Sequence, residues 1–356
     1  MDKETKSSLI TLSPEKRKFV INHVHAFVNE EGNCGNPAGV VVLNPNVEFP
    51  LENQIMINVA KQVGYPETAF VQICDDTSST FDVDVRFATP ISANGFCGHA
   101  TIATFGFLIA NKLIRCNSVV KMRTTVLGEN GNNPQLTMME ITCTKNFIEM
   151  EQKLPIFHTV QDVSIMKDRI SRSLNLPITS FFETIEIVNT GGKDAILALK
   201  DQSVLDNVKL TKEVCQMISE VCKNYNIVGY HLFPLNSLIY DTKPDDSNTV
   251  SVTVRGVRNF APLEGIPEEA ATGSACGAMA CFIVRHILIP KFKAKPFAID
   301  NNNMSIKFAF EQGRIFGYPS DIFSHILYDM SKNKFISVKV SGRFQEKPDK
   351  RSIIVL

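Results

Sequence analysis

The sequence predicts an α+β fold of two pseudo-symmetric domains, each a β-barrel-like sheet wrapped around a central apolar helix. One pattern occurs twice: Arg86–Pro90 before Cys97–Thr101, and Arg258–Pro262 before Ala271–Ala275. Both copies have an Arg/Phe/Pro strand end, a polar loop and a Gly-containing turn that opens an apolar helix. The two helices, 99–113 and 273–288, are apolar all round, which requires burial on every side. Strands curled around each helix satisfy both the helix and the sheet edges.

The first predicted domain, 17–153, follows a polar segment, 1–16, that we expect to be a disordered leader. The helical spacing of Ile55, Val59 and Val63 predicts a second helix in this domain. Alternating or continuous apolar runs between turn signals predict its strands: 19–27, 37–43, 68–74, 81–87, 118–127 and 135–144.

The second predicted domain, 154–349, repeats this plan. Besides 273–288, helices are expected at 160–174 and 210–222, the latter with Thr211 as a cap. The same signals predict its strands: a β-rich stretch at 184–199, then 227–234, 250–257, 305–310, 314–318 and 335–340. The last strand, within 350–356, is a candidate to join the first domain.

Composition narrows the function classes. Lys+Arg and Asp+Glu both total 37, so the charge balance does not point to nucleic acid or an acidic membrane surface. No apolar stretch reaches the length needed to span a bilayer, and the N-terminus lacks a signal-peptide core. We therefore expect a cytoplasmic protein with no nucleic-acid and no membrane partner.

The two helix openings are candidate binding sites for an anionic small molecule. A helix N-terminus has unpaired N–H groups and a partial positive charge, and two such ends could face one cleft. Gly98 and Gly273 allow close approach to the backbone. His99 can exchange a proton near neutral pH, and Ser274 adds a hydroxyl. Capping and small-residue packing are the alternative explanation for each opening taken singly.

Two acidic residues are candidates for proton transfer or ligand binding. Glu67 lies between Pro66 and an apolar strand, where burial could raise its pKa for acid/base work. Glu269 precedes the second helix, where it could bind a ligand hydroxyl or amine, or simply complement the helix dipole. For an isolated Glu67 a solvated turn is the competing interpretation.

Cys97 raises the alternative of an amino-acid racemase, in which two facing cysteines act as acid and base. The position that matches Cys97 in the second copy is Ala271, and Cys276 lies about a turn too late. The missing second thiol disfavours this reading. No phosphate-binding loop, dinucleotide fingerprint or metal-ligand spacing is present, so we expect no cofactor and no metal.

Together these motifs resemble the PhzF-like family of phenazine biosynthesis, which has the diaminopimelate epimerase-like fold. The similarity covers nearly the whole chain after residue 17. It rests on Gly35–Val40, Glu67–Phe70, Arg86–Phe87, Thr89–Pro90 and Cys97–Thr101, then on Arg258, Phe260–Pro262, Glu268, Ala271–Ala275 and Gln312–Gly313.

The resemblance implies cofactor independence, commonly a homodimer, and isomerisation by proton transfer. The family's catalytic glutamate falls on Glu67, its supporting histidine on His99 and its serine on Ser274. Glu269 stands where the family usually has Asp, and Ala270 where it has Pro. We therefore expect an isomerase acting on a small, carboxylated substrate, with Cys97, Gly98, Glu269, Gly273 and Ser274 binding it. The alternative is an inactive relative that binds ligands or proteins.

Overall fold

The computed structural model describes residues 17–74, 79–93, 95–127, 134–241, 249–294, 303–317 and 319–356. The predicted leader, 1–16, lies outside these residues. Contacts divide the chain into two units: Met1–Met150 with Gly342–Leu356, and Glu151–Ser341. Residues 342–349 therefore belong to the first unit, whereas the sequence predicted them in the second domain.

The strands, in chain order, are β1 (Lys18–Val28), β2 (Asn36–Val42), β3 (Glu67–Ile73), β4 (Val83–Ala88), β5 (Ser118–Leu127), β6 (Pro134–Cys143), β7 (Ile148–Glu151), β8 (Ile156–His158), β9 (Phe181–Asn189), β10 (Lys193–Leu199), β11 (Gly229–Pro234), β12 (Ile239–Tyr240), β13 (Thr249–Ala261), β14 (Ile266–Glu269), β15 (Asn303–Gln312), β16 (Ser320–Asp329), β17 (Lys334–Glu346) and β18 (Ser352–Val355). The helices are α1 (Asn53–Val63), α2 (Gly98–Ala110), α3 (Val163–Ser173), α4 (Gln202–Asp206), α5 (Lys212–Tyr225), α6 (Gly273–Ile283) and α7 (Ile289–Ala294).

The first unit is a mixed sheet around α2. Strand β1 pairs antiparallel with β2, with β18 and with the end of β17. From β2 to β7 the successive pairs are parallel, antiparallel, parallel, antiparallel and antiparallel. Strand β7 also pairs with β17, so β17 and β1 to β7 form a closed eight-stranded barrel.

The second unit has the same strand plan around α6. Strand β8 pairs antiparallel with β9, as the end of β17 does with β1. From β9 onward, the parallel and antiparallel pairings follow the same order as those from β1 to β7 in the first unit. The pairs are β9–β10, β10–β11, β11–β13, β13–β15, β15–β16 and β16–β17. In both units the apolar helix comes after the fourth strand of the repeated order, which is β4 in the series that begins at β1 and β13 in the series that begins at β9. This repeat and the α+β content confirm the predicted fold class.

The two central helices are buried because they have no polar face. Every residue of α2 from Gly98 to Ile109 is buried, as are Gly273 and Ala275–Ile283 of α6. The predicted second helix continues beyond α6 as a π-helical turn, Val284–Leu288, and α7. The helical segment Gly273–Lys291 is long and apolar enough to cross a bilayer, which the sequence analysis did not expect, but 78% of its apolar window lies inside the protein, as in a core helix.

One predicted strand is wrong. Residues 314–318 were expected to be β, but Arg314–Phe316 form a single 3₁₀ turn between Gly313 and Gly317, whose φ angles are +87° and +100°. Left-handed residues on both sides reverse the chain instead of extending it. The strand that follows is β16, which the sequence analysis did not predict.

Candidate active site

The N-terminal end of α2 brings together three of the predicted residues. Cys97 is the N-cap residue in an extended conformation, Gly98 begins the helix, and His99 follows in its first turn. The side chain of Cys97 makes no capping hydrogen bond, while its carbonyl accepts from the Thr101 hydroxyl at 2.7 Å. The first N–H groups of α2 have no acceptor within the helix and give this end its partial positive charge.

His99 is held as a neutral imidazole. Its Nδ1 lies 3.2 Å from Cys97 Sγ, and its ring also hydrogen-bonds the backbone of Pro37, which can only accept through its carbonyl. Burial lowers the pKa of His99 to about 4, although the Pro37 contact opposes this change. The near-neutral titration expected of His99 is therefore wrong, because desolvation outweighs its hydrogen bond. A neutral ring donates at one nitrogen and accepts at the other, and the Pro37 carbonyl receives the donated hydrogen bond.

Glu67 begins β3 beside this helix end. The αL residue Gly64 ends α1, and Pro66 then leads into the strand. Glu67 is 9% exposed and pairs with Ala38 of β2, next to the Pro37 that hydrogen-bonds His99. Phe70, on the opposite face of β3, belongs to the apolar cluster under α1, so Glu67 lies on the face toward α2. A buried carboxyl group thus stands where the competing interpretation put a solvated turn.

The N-terminal end of α6 brings together the predicted residues of the second unit. Thr272 is the N-cap residue, Gly273 is buried, and Ser274 is half-buried. The Thr272 hydroxyl donates to Glu269 Oε2 at 2.5 Å instead of capping the helix. Gln312 fixes this turn, since its side-chain amide donates to the Glu269 carbonyl and its oxygen accepts from the Thr272 N–H.

Glu268 and Glu269 have different environments despite being adjacent. Glu268 forms a bidentate pair with Arg258, with N···O distances of 2.8 and 2.6 Å, and both side chains are buried. Arg258 also donates to the carbonyls of Leu205 and Val208. Glu268 therefore has a structural role, and Glu269 is the carboxylate at the helix opening.

A buried polar cluster that no sequence motif indicated lies beside α6. His231 Nδ1 is 3.0 Å from Asn259 Oδ1, and its Nε2 is 3.5 Å from Cys276 Sγ. Burial lowers the pKa of His231 to about 3 and raises that of Cys276 well above its usual value. A neutral imidazole and a protonated thiol result, so Cys276 is not a substitute for the missing racemase thiol.

Asp194 is the other residue of this cluster. It is 4% exposed on β10, and burial, followed by the charge of Glu269, raises its pKa to about 7. The only sequence signal for Asp194 is an acidic residue at the start of the apolar stretch Ala195–Leu199. The predicted residues are thus grouped at two helix openings: Glu67, Cys97, Gly98 and His99 in the first unit, and Glu269, Gly273 and Ser274 in the second.

The buried histidines predict acid lability. The folded chain keeps His99 and His231 neutral down to about pH 4 and about pH 3, whereas the unfolded chain protonates them below the ordinary histidine pKa of 6.5. Stability is therefore lost as the pH falls from 6.5, with each histidine adding up to ~1.4 kcal/mol per pH unit. We expect His231→Gln to remove the contribution of one histidine from the pH dependence of the unfolding free energy. The measurement is urea titration at several pH values between about 7.5 and 4.5. An unchanged slope at an unchanged m-value would contradict this origin of the effect.

Solved structures with this fold include a PhzF-family protein and an epimerase. A phenazine biosynthesis protein of the PhzF family from Bacillus anthracis has a TM-score of 0.67 at 21% identity, covering 96% of this chain and 99% of that chain. A hydroxyproline epimerase from Agrobacterium vitis, with bound trans-4-OH-L-proline, has a TM-score of 0.53 at 11% identity, covering 97% and 92%. At these identities the likeness shows a PhzF and epimerase-like fold.

Sequence comparison gives the family. The phenazine biosynthesis-like protein family, PhzC-PhzF, matches residues 24–343, and the chain belongs to this family. An uncharacterized isomerase of Clostridium acetobutylicum is 29% identical over 334 residues, 92% of this chain and 95% of that protein. An uncharacterized isomerase of Escherichia coli K12 is 26% identical over 328 residues, 90% and 94%. The resemblance inferred from the motifs is confirmed.

Proposed function

We propose that this protein is a cofactor-independent isomerase that moves a proton between carbons of a small carboxylated substrate, with Glu67 as the acid/base. Membership in a family whose relatives are named isomerases supports the reaction class. The observation that carries the mechanism is the burial of the Glu67 carboxyl at the start of β3, on the face toward α2. A positioned carboxyl group of this kind can remove a proton and return it to another carbon.

The helix openings supply the other roles in this proposal. At the opening of α2, the backbone N–H groups of Gly98 and His99 bind an anionic group, the neutral ring of His99 orients a polar substituent, and Cys97 lines the opening. At the opening of α6, the backbone N–H groups of Gly273 and Ser274 can bind an anionic group in the same way, and the side chain of Glu269 can orient a polar substituent. We also propose that the protein forms a homodimer and is located in the cytoplasm.

The test is solvent deuterium incorporation. Small hydroxy acids, amino acids and cyclic carboxylates are first screened by thermal shift, and the ligands that bind are then incubated with enzyme in D₂O and followed by ¹H NMR. We expect at least one ligand to lose a carbon-bound proton signal without any added metal or cofactor. Binding without exchange across the whole panel would favour the ligand-binding alternative.

The racemase alternative has its own signature in the same experiment. A two-thiol racemase would exchange the α-proton of an amino acid with loss of optical activity, and iodoacetamide capping of Cys97 would abolish both. Ala271 provides no second thiol, and Cys276 is fully buried with a raised pKa. We therefore expect no racemisation.

A further inference from the structure

The hairpin of β5 and β6 has an open backbone edge. Strand β6 pairs with β5 along its whole length, but on its other side it pairs with β7 only at residues 141–143. Among the described residues, no strand pairs with residues 134–140 on that side. Each residue of an antiparallel strand directs its N–H and C=O groups to one side, and successive residues alternate. Part of the backbone of residues 134–140 therefore faces outward without a neighbouring strand.

The side chains along this edge include two exposed apolar ones. Leu136 is 65% exposed and Met138 is 46% exposed. The register with β5 places both on the face of the hairpin that carries Val119, which is 57% exposed. The buried Met122 and Thr124 of β5 lie on the opposite face. Apolar side chains beside unpaired backbone groups make a strand edge prone to pairing with another chain.

Residues 134–140 lack the features that usually protect a strand edge. Proteins prevent edge pairing with charged residues, prolines, bulges or very short strands. Here Pro134 and Glu140 stand at the two ends, while the residues between them are uncharged and their pairing with β5 has no bulge. Strand β18, which among the described residues pairs only with β1, is shorter and follows Lys350 and Arg351. We therefore expect the edge of β6 to be covered in the functional protein.

The sequence of this edge is complementary to a second copy of itself. Antiparallel pairing of residues 134–140 with the same residues of another chain puts Thr137 at the centre, on a two-fold axis. Leu136 then lies opposite the partner's Met138, and Met138 opposite the partner's Leu136, so both apolar side chains gain an apolar neighbour. Glu140 is the one charged residue of the stretch, and it lies opposite the partner's Pro134. Like charges therefore do not meet across the pair.

We propose that residues 134–140 of β6 form an interface with a second copy of this chain, by antiparallel pairing of the two strands about Thr137. The two hairpins then form one continuous sheet, with Leu136 and Met138 of both copies at the apolar centre of the interface. This proposal rests on the proposed homodimer and specifies the surface that forms it. A strand from a different protein is the competing occupant, and it would lack the symmetric register.

The first test is sedimentation velocity of the full chain over a range of concentrations. We expect the wild type to form a dimer, and Leu136→Lys to weaken it by at least about 100-fold, because each dimer would then desolvate two ammonium groups. Met138→Lys should have a similar effect. Ile353→Lys changes a similarly exposed apolar residue on β18 and should leave the dimer dissociation constant unchanged. Circular dichroism verifies that the three variants fold.

Cross-linking tests the two-fold register. Thr137 faces the partner's Thr137 at a Cα separation of about 4.5–5.5 Å, which a disulfide can span. Gln135 faces the partner's Met139 and lies more than about 13 Å from the partner's Gln135. With oxidised glutathione, we expect Thr137→Cys to give a disulfide-linked dimer above the level that the native cysteines give in the wild type. Gln135→Cys should stay at the wild-type level.

Four outcomes overturn this interface: a monomeric wild type, a dimer that both lysine variants retain, a dimer lost only in Ile353→Lys, or cross-linking by Gln135→Cys instead of Thr137→Cys. Failure of the isomerase proposal is separate, because deuterium exchange measures it. A dimer that Leu136→Lys disrupts, with no exchange in any ligand, keeps the interface and removes the proposed reaction. Exchange by a protein whose dimer survives both lysine variants keeps the reaction and the homodimer but removes this interface.

Discussion

Replacing Glu67 with glutamine is expected to slow proton exchange by about 10²- to 10⁴-fold in any ligand that the wild type deuterates. Glutamine keeps the size of the side chain and its place at the start of β3, but its amide cannot take a proton and return it. Because the residue is 9% exposed, water has little access to replace the lost carboxyl group. The measurement is the rate of signal loss in D₂O by ¹H NMR.

Two further variants separate chemistry from structure. Glu67→Asp keeps the carboxyl group but withdraws it by one methylene, so we expect an intermediate rate. Glu52→Gln changes an exposed acid at the start of α1 in the same unit and should leave exchange at the wild-type rate. Circular dichroism and thermal midpoints verify that all three variants fold. Exchange by Glu67→Gln as fast as by the wild type would assign the proton transfer to another group.

The central helices could be predicted from the sequence because their signal is local. A run of apolar residues with no polar face has only one favourable place, inside the protein. Both runs also begin at a Gly-containing turn, so the predicted starts, His99 and Gly273, lie within one residue of the observed starts, Gly98 and Gly273. Strand β16 was missed because the turn before it depends on the backbone angles of Gly313 and Gly317. Their sequence neighbours do not show which way the chain turns.

The same difference between local and long-range signals separates the candidate-site residues that could be predicted from those that could not. Glu67, His99, Glu269 and Ser274 were found because they lie in motifs at element ends, where local chemistry is visible. Asp194 and His231 were missed because each is a single polar residue in an apolar strand. Their environment depends on pairing with strands that are distant in sequence and on packing against α6. The neutral state of His99 depends likewise on burial, which its motif does not encode.

Asp194→Asn is expected to stabilise the unliganded protein by about 2–4 kcal/mol at about pH 8. The folded pKa of Asp194 is about 7, raised from 3.8, so its contribution is fully present below pH 3.8 and is lost as the pH rises to about 7. Above that pH the folded chain holds a desolvated carboxylate that asparagine removes. Among the described residues, the titratable groups that interact with Asp194 are Glu269 of β14, Cys276 of α6 and Cys222 of α5, and none of them is a cation.

The measurement is the difference in unfolding free energy between variant and wild type, followed from about pH 4 to about pH 8. We expect it to be near zero at the acid end and to grow with pH. Asp329→Asn should behave oppositely, because that carboxylate is hydrogen-bonded and its pKa is lowered to about 2. A loss of stability in Asp194→Asn at every pH would mean that the carboxyl group serves packing. A gain in stability would instead indicate a carboxyl group that is kept at a cost to the fold, which is typical of residues retained for binding or catalysis.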